Sequence, residues 1–309
     1  MNSAICTLFE GHYHHGVGAL VNSLCAHGFI GTIYAGYRGL LPPWIHGAQQ
    51  FDGFTEFKPA EDLVLRFIPV TTKVHLTNYK PDFMMQVWHK HCPQAKALCY
   101  FDPDIIVKCR WTFFEEWVEA GVAVCQDVNG TMADNHPIRH AWRKLLQPSG
   151  LEFRNRFDTY FNCGFIGLSA GDSDFLNDWR GVQSLMERCG ADFQSIGFGD
   201  RTLPFTCRDQ DALNITCMVT RRRISPMGQD GMDFQHGGGG YVMSHAAGGI
   251  KPWRKKMLMD LILAGNLPSR ADKGFYAFAQ HPIRVYPTGS YFLRKLDLKM
   301  ASAIGRYIG

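Results

Sequence analysis

Six short apolar runs in the first 170 residues constrain the fold of the chain more than any other feature. They are "SAICTLF" (3–9), "GTIYAGY" (31–37), "DLVLRFIPV" (62–70), "KALCYFD" (96–102), "GVAVCQDV" (121–128) and "YFNCGFIGLS" (160–169). Each has the length and the β-branched or aromatic content of a buried strand. Helical patterns lie between or after them. "GVGALVNSLCAHG" (16–28) sets Leu20, Val21 and Leu24 on one face and stops at Gly28, and "PDFMMQVWHKHC" (81–92) has Pro81 in its first turn. "GDSDFLNDWRGVQSLMERCG" (171–190) has the caps and spacing of a third helix. Strands alternating with helices specify an α/β fold with a mostly parallel central sheet flanked by helices. There is no internal repeat and no Pro/Ser-rich linker, so the expected organisation is one main domain over residues 1–265 and a tail over 266–309.

Composition excludes several classes. At 309 residues, 46% hydrophobic and 19% charged, the chain can bury a sizeable core. A formal net charge of +4 is too mild to argue for nucleic acid as a partner. No apolar run approaches the roughly 20 residues needed to span a bilayer. "MNSAICTLFEG" lacks the basic and apolar regions of a secretory signal, and the ten cysteines are scattered with no CxxC pair. A reduced chain in the cytoplasm is the expectation.

"KALCYFDPDIIVKC" (96–109) places Asp102 and Asp104 inside an otherwise greasy segment. In an extended strand, residues two apart point to the same face, so the two carboxylates can aim at one point. Pro103 cannot donate to a sheet ladder, which suggests that pairing stops there and the chain opens at the strand's C-terminal end. Open α/β sheets bind ligands at that end. Adjacent carboxylates repel unless a cation sits between them, and hard oxygen ligands suit Mg²⁺ or Mn²⁺. An exposed Asp-Pro turn is the alternative reading. Further along, "VMSHAAGGIKPW" (242–253) offers His245 as a further ligand and Lys251 as a compact cation for a phosphate. "YFNCGFIGLS" holds Asn162 in a strand, where an amide needs partners, and "RDQDALN" (208–214) flanks Gln210 with Asp209 and Asp211.

Taken together these stretches resemble the retaining glycosyltransferases of family 8, the glycogenin and lipopolysaccharide galactosyltransferase group with a GT-A fold. The motif order of that group is a nucleotide-binding first strand, YxDxD, FNxG, DQDxLN and HxxGxxKPW. This chain has "TLFEGHYHHGVGALVNSL", "YFDPDIIV", "YFNCGFIGL", "DQDALN" and "HAAGGIKPW" in the same order, over roughly residues 3–255. The resemblance implies a GT-A type nucleotide-sugar-binding fold and a Mn²⁺ (or Mg²⁺) ion held by Asp102, Asp104 and His245. It implies donor contacts from Thr7, Tyr13, Lys80, Asp102 and Lys251, with Tyr13 stacking on uracil and Lys251 on the diphosphate. Asp127, Asn162, Asp209, Gln210 and Asp211 would surround the transferred sugar. The implied reaction moves a hexose, glucose or galactose, from a UDP-sugar to an acceptor hydroxyl with retention of configuration, by a covalent or a front-side route. The acceptor would be a saccharide or a lipid-linked saccharide. The chain departs from the group in "FEGHYHH", where relatives usually carry Asp/Asn-type residues, and in Pro103 within the DxD.

Rival readings are a catalytically silent nucleotide-sugar-binding scaffold and a DxD phosphohydrolase. The latter wants Thr or Val where this chain has Ile106 and places its motif nearer the N-terminus. "GHYHHGVGALV" fails as a dinucleotide fingerprint because Val21 occupies the third glycine position. His12, His14 and His15 read as solvated, with a metal site as the alternative. "HGGGG" (236–240) reads as a lid or a plain loop. "TRRRIS" (220–225) reads as a solvated face or a contact for an anionic acceptor or lipid headgroups. "GSYFLRKLDLKMASAIGRYIG" (289–309) leaves two readings open: packing onto the domain, or a peripheral contact with an acidic membrane at its inner face.

Overall fold

The structure is a computed structural model, and it describes residues 1–196, 203–234 and 240–308. Among the described residues the strands are β1 (Ser3–Glu10), β2 (Gly31–Arg38), β3 (Gln49–Phe51), β4 (Phe54–Ala60), β5 (Leu63–Pro69), β6 (Ala97–Phe101), β7 (Ile105–Val107), β8 (Val122–Thr131), β9 (Thr159–Ser169), β10 (Ile224–Met227), β11 (Met232–Asp233) and β12 (Met243–His245). The helices are α1 (His14–Ala26), α2 (Lys80–Gln86), α3 (Trp111–Glu119), α4 (Pro137–Leu146), α5 (Phe175–Arg188), α6 (Arg208–Val219), α7 (Met257–Ala264), α8 (Arg270–Ala277) and α9 (Thr288–Ile308). They form a mixed α/β fold whose chain divides into two compact units.

The first unit comprises Met1–Leu8, Val70–Phe101 and Thr112–Gln229. Its strands lie in the order β10-β8-β9-β6-β1. The expected parallel pairing holds for β1 with β6 and for β8 with β10, whereas β9 runs antiparallel to both of its neighbours. Every residue of β6 is buried, and α2, α5 and α6 pack on this sheet or on one another. Phe165 of β9 anchors the aromatic core, 4.9 Å from Phe101, 5.5 Å from Phe114 and 5.2 Å from Trp117 between ring centroids. Such pairs add to what area burial alone supplies. The pattern "PDFMMQVWHKHC" forms α2 and then widens into a π-type turn over Val87–His91.

The second unit comprises Phe9–Pro69, Asp102–Trp111 and Asp230–Gly309. Here β2 and β5 pair in parallel, and β5, β4 and β3 continue as an antiparallel meander. A small separate sheet has the order β11-β12-β7, with β12 antiparallel to β7. Helix α1 packs on β7, and α8 packs on both β7 and β12. Residues 266–309, expected as a tail, supply α8 and α9 within this unit. The Ser269 hydroxyl and the Asp272 carboxylate cap the start of α8 reciprocally.

Gly16, read in sequence as part of a failed nucleotide fingerprint, has a packing role. A Cβ there would lie 2.2 Å from the Pro103 carbonyl oxygen and 2.8 Å from the Trp253 ring. Only a hydrogen side chain lets α1 come this close to the turn that carries the two aspartates.

Candidate active site

Strand β6 ends at Phe101, one residue before Asp102. The chain then turns, with the Ile105 N–H donating to the Asp102 carbonyl at 3.1 Å, and β7 begins at Ile105. Asp102 and Asp104 therefore lie on a turn, and the turn, not the pleat of a strand, brings their carboxylates together. The cause is Pro103, which ends the ladder as expected and also bends the backbone.

His245 arrives by strand pairing. The β7–β12 register sets His245 opposite Ile105, and the Ala246 N–H donates to the Asp104 carbonyl at 3.0 Å. His245 Nε2 lies 3.3 Å from Asp104 Oδ1 and 3.9 Å from Asp102 Oδ2. One potential ligand atom from each of the three residues lies within 4.8 Å of the others, and among the described residues this is the sole group of three or more such side chains. Lys251 Nζ donates to Asp104 Oδ2 at 2.6 Å and to the Ala246 carbonyl at 2.8 Å. Asp104, His245 and Lys251 are buried, and Asp102 is half-buried. Burial would raise the Asp104 pKa, but His245 and Lys251 outweigh it and hold the carboxyl well below the usual range. Lys251 is held above its usual range, burial opposing and Asp104 prevailing.

The donor set fits a hard divalent cation. Two carboxylates and one imidazole suit Mn²⁺, and Mg²⁺ somewhat less. Two carboxylates and one lysine share this largely buried cluster, and a divalent cation would relieve the repulsion between the carboxylates. His245 Nδ1 is buried without a hydrogen-bond partner, so the imidazole is directed to the carboxylates through Nε2 alone.

Tyr13 and Trp253 border this cluster. The Tyr13 ring stacks on His12 at 4.9 Å, meets Trp253 edge-on at 5.6 Å, and has Lys251 Nζ 5.7 Å from its centroid. Trp253 Nε1 donates to His12 Nδ1 at 2.8 Å and Trp44 Nε1 donates to His14 Nδ1 at 3.3 Å. The three histidines are half-buried and bonded to their neighbours, so reading them as solvated is corrected. Burial, aided by neighbouring His15, pushes the His14 pKa down to about 4, and the ring is neutral at physiological pH.

The first unit holds a second polar cluster. Along β9, Ile166 pairs with Val124 but Asn162 pairs with the next residue, Cys125, so residues 163–165 bulge from the β8 side of the ladder. The bulge is closed by side chains. Asn162 Oδ1 accepts from the Gly164 N–H at 2.8 Å, while Asn162 Nδ2 donates to Asp127 Oδ1 at 2.7 Å and to Gln210 Oε1 at 3.2 Å. Lys80, at the start of α2 and 1% exposed, donates to the Cys163 carbonyl at 2.8 Å and lies 3.5 Å from Asp209 Oδ2. Asp127, Asn162, Lys80, Asp209 and Gln210 thus form one group. Asp211 has other hydrogen-bond partners, accepting from Tyr160 Oη at 2.6 Å and from the Cys207 N–H at 2.9 Å. Burial pushes its carboxyl up to about 7. Thr7 Oγ1 is buried in β1 with no hydrogen-bond partner.

Two residues outside the sequence-derived set hold these groups in place. Asn214 accepts from the Phe161 N–H and donates to the Phe161 and Gln210 carbonyls, each at 2.8 Å, and so ties α6 to β9. An amide inside a buried helix was the available signal. Arg294 of α9 donates to the Trp253 carbonyl at 3.1 Å, and nothing local in the sequence marks it. Of the glycine-rich loop singled out above, residues 236–239 lie outside the described residues.

No family model matches the sequence, and no curated protein matches it. Solved structures do share the fold. The apo structure of the bifunctional glycosyltransferase WbbM aligns with a TM-score of 0.52 at 15% identity, over 88% of this chain and 51% of that one, so this chain spans about half of WbbM's length. An active-site mutant of LgtC aligns with a TM-score of 0.51 at 14% identity, over 93% of this chain and 98% of that one. The chain therefore has the GT-A type of fold that its motif order implied.

Proposed function

We propose that this chain is a metal-dependent glycosyltransferase that moves a hexose, glucose or galactose, from a UDP-sugar to an acceptor hydroxyl with retention of configuration. The observation that carries the reading is the convergence of Asp102, Asp104 and His245, with Lys251 bonded to the same aspartate. Two of these residues come from the turn after β6 and two from the segment opened by β12, an arrangement with little use in a purely structural turn. The fold shared with two glycosyltransferases supports it.

Asp102, Asp104 and His245 would hold Mn²⁺ (or Mg²⁺), which would supply positive charge for the diphosphate leaving group. Lys251 adds a fixed cation for the same oxygens, and preorganised charge of this kind is worth about 3–4 kcal/mol of barrier. Tyr13 offers an aromatic face for the base, and Thr7 an unpartnered hydroxyl for the donor. We assign Asp127, Asn162, Lys80, Asp209 and Gln210 to the transferred sugar, and Asp211 to holding the start of α6 against β9. The acceptor is a saccharide or a lipid-linked saccharide, and the reaction is placed in the cytoplasm, consistent with ten free thiols.

The test is UDP release from UDP-glucose and UDP-galactose, with Mn²⁺ and after chelation. Release that depends on Mn²⁺ and disappears in both Asp102→Asn and Asp104→Asn supports the reading. Release that persists in both variants overturns it. Mn²⁺-dependent UDP-hexose binding with no release favours the silent scaffold instead.

A further inference from the structure

Helix α9 is fixed to the second unit by a face other than its most apolar one. Leu298 and Ala301 are buried, and α9 packs against α7. Asp297 accepts from the Met257 and Leu258 N–H groups at 2.8 and 3.0 Å, capping α7, and Arg294 holds the Trp253 carbonyl. Gly305 admits Leu267, whose Cδ2 would sit 2.0 Å from an added Cβ. Around the rest of the helix, Phe292, Leu293, Leu296, Met300 and Ile304 are all exposed, Phe292 and Leu293 at 65% each. At 3.6 residues per turn these five occupy one arc of roughly 120°. Neighbouring α7 and the loop after it add exposed Met259, Ile262, Leu263 and Leu267. Packing onto the domain, one of the two readings of this segment, therefore accounts for the opposite face and leaves this one uncovered.

Charge chooses the occupant. Exposed Lys299 and Arg306 line the edge of the apolar arc, with half-buried Lys295 beside them, and Arg254 and Lys256 are exposed at the start of α7. Residues 254–309 hold ten Lys/Arg against three Asp/Glu, while the rest of the chain holds 22 against 25. An apolar face rimmed by cations on an otherwise slightly acidic chain is the pattern of a helix lying in an anionic lipid interface. Among the described residues no helix is long and apolar enough to cross a membrane. We infer that α7 and α9 together form a docking surface for an anionic phospholipid bilayer, with α9 parallel to its plane. This inference rests on exposure and charge and holds whether or not the catalytic reading does.

The test is cosedimentation of the full chain with vesicles of equal parts phosphatidylcholine and phosphatidylglycerol, and with phosphatidylcholine alone. Binding to the anionic vesicles that weakens without phosphatidylglycerol or at high salt is the expected result. The double variant Leu293→Glu/Met300→Glu should partition at least about tenfold more weakly, since two buried apolar side chains are lost. Its thermal unfolding and its Mn²⁺-dependent UDP release should match those of the unmodified chain, because both positions are exposed. No binding to anionic vesicles overturns the inference, as does binding that the double variant retains. Self-association of the unmodified chain that the double variant abolishes, without vesicle binding, would assign the surface to a second copy and also overturn it.

Discussion

The two polar clusters solve the problem of burying polar groups in opposite ways. In the second unit, Asp102, Asp104, His245 and Lys251 form a charged group whose imidazole keeps one nitrogen unpaired. In the first unit, Asn162, Gln210 and Asn214 form an amide network that closes a strand bulge and bonds repeatedly to backbone. The first kind costs stability and is retained where charge is needed, and the second rigidifies. The contrast separates a charged group whose donor set fits a cation from an amide network that holds a strand bulge in shape beside the side chains assigned to the sugar.

Replacing Asp104 by Asn tests the charged cluster most severely. It strips Lys251 of its buried counter-charge, so denaturant unfolding should show a loss of about 3–5 kcal/mol. Stabilisation by added Mn²⁺, read as a thermal shift, should vanish. A variant that keeps the Mn²⁺ shift would break the assignment of this cluster as the metal site.

Asp211, on the first turn of the helix that carries Gln210 and Asn214, gives a test through pH. Its carboxyl titrates at about 7 in the folded chain against 3.8 for an ordinary aspartate. Between those values the folded state holds a proton that the unfolded chain has lost, so stability falls as pH rises from about 4 to 7. The full effect is no more than about 4 kcal/mol. In Asp211→Asn that slope should flatten, as measured by urea unfolding at a series of pH values, and an unchanged slope would refute the account of its burial.

Asn214→Ala should cost about 1–3 kcal/mol by orphaning the Phe161 backbone groups. It should leave the Mn²⁺ thermal shift intact, which is what distinguishes a shape-holding network from a charged one. Gly16→Ala is expected to cost about 1–3 kcal/mol by overpacking. Because the added carbon meets Pro103, it should also weaken Mn²⁺ affinity, readable by calorimetric titration.

Much of this was legible in the chain. The runs at 3–9, 31–37, 62–70, 96–102, 121–128 and 160–169 all became strands, because each is a continuous apolar stretch of strand length. The meander β3–β4 was not foreseen: Gln49–Phe51 is exposed throughout, and Lys58-Pro59 breaks any alternation in β4. Helix α3 carries "WTFFEEWVE", whose aromatic density does not distinguish helix from strand by itself. At the candidate site, the two aspartates, His245, Lys251 and Asn162 stood out as polar residues in apolar surroundings. Arg294 and Asp297 did not, because a charged residue on an amphipathic helix looks the same whether it meets water or a distant backbone.

The sequence by itself determined the α/β class, the positions of most strands and the polar residues that demand partners, since these follow from local pattern and the cost of burial. Tertiary structure decided which partners they have. Lys251 reaches Asp104 across 147 residues only because β12 pairs with β7 in one register, and the stripe of α9 is exposed apolar surface only because the helix packs by its opposite face. Local pattern fixes which face or strand end a residue occupies, but pairing across the chain depends on loop closure and packing, and no short window of sequence contains these.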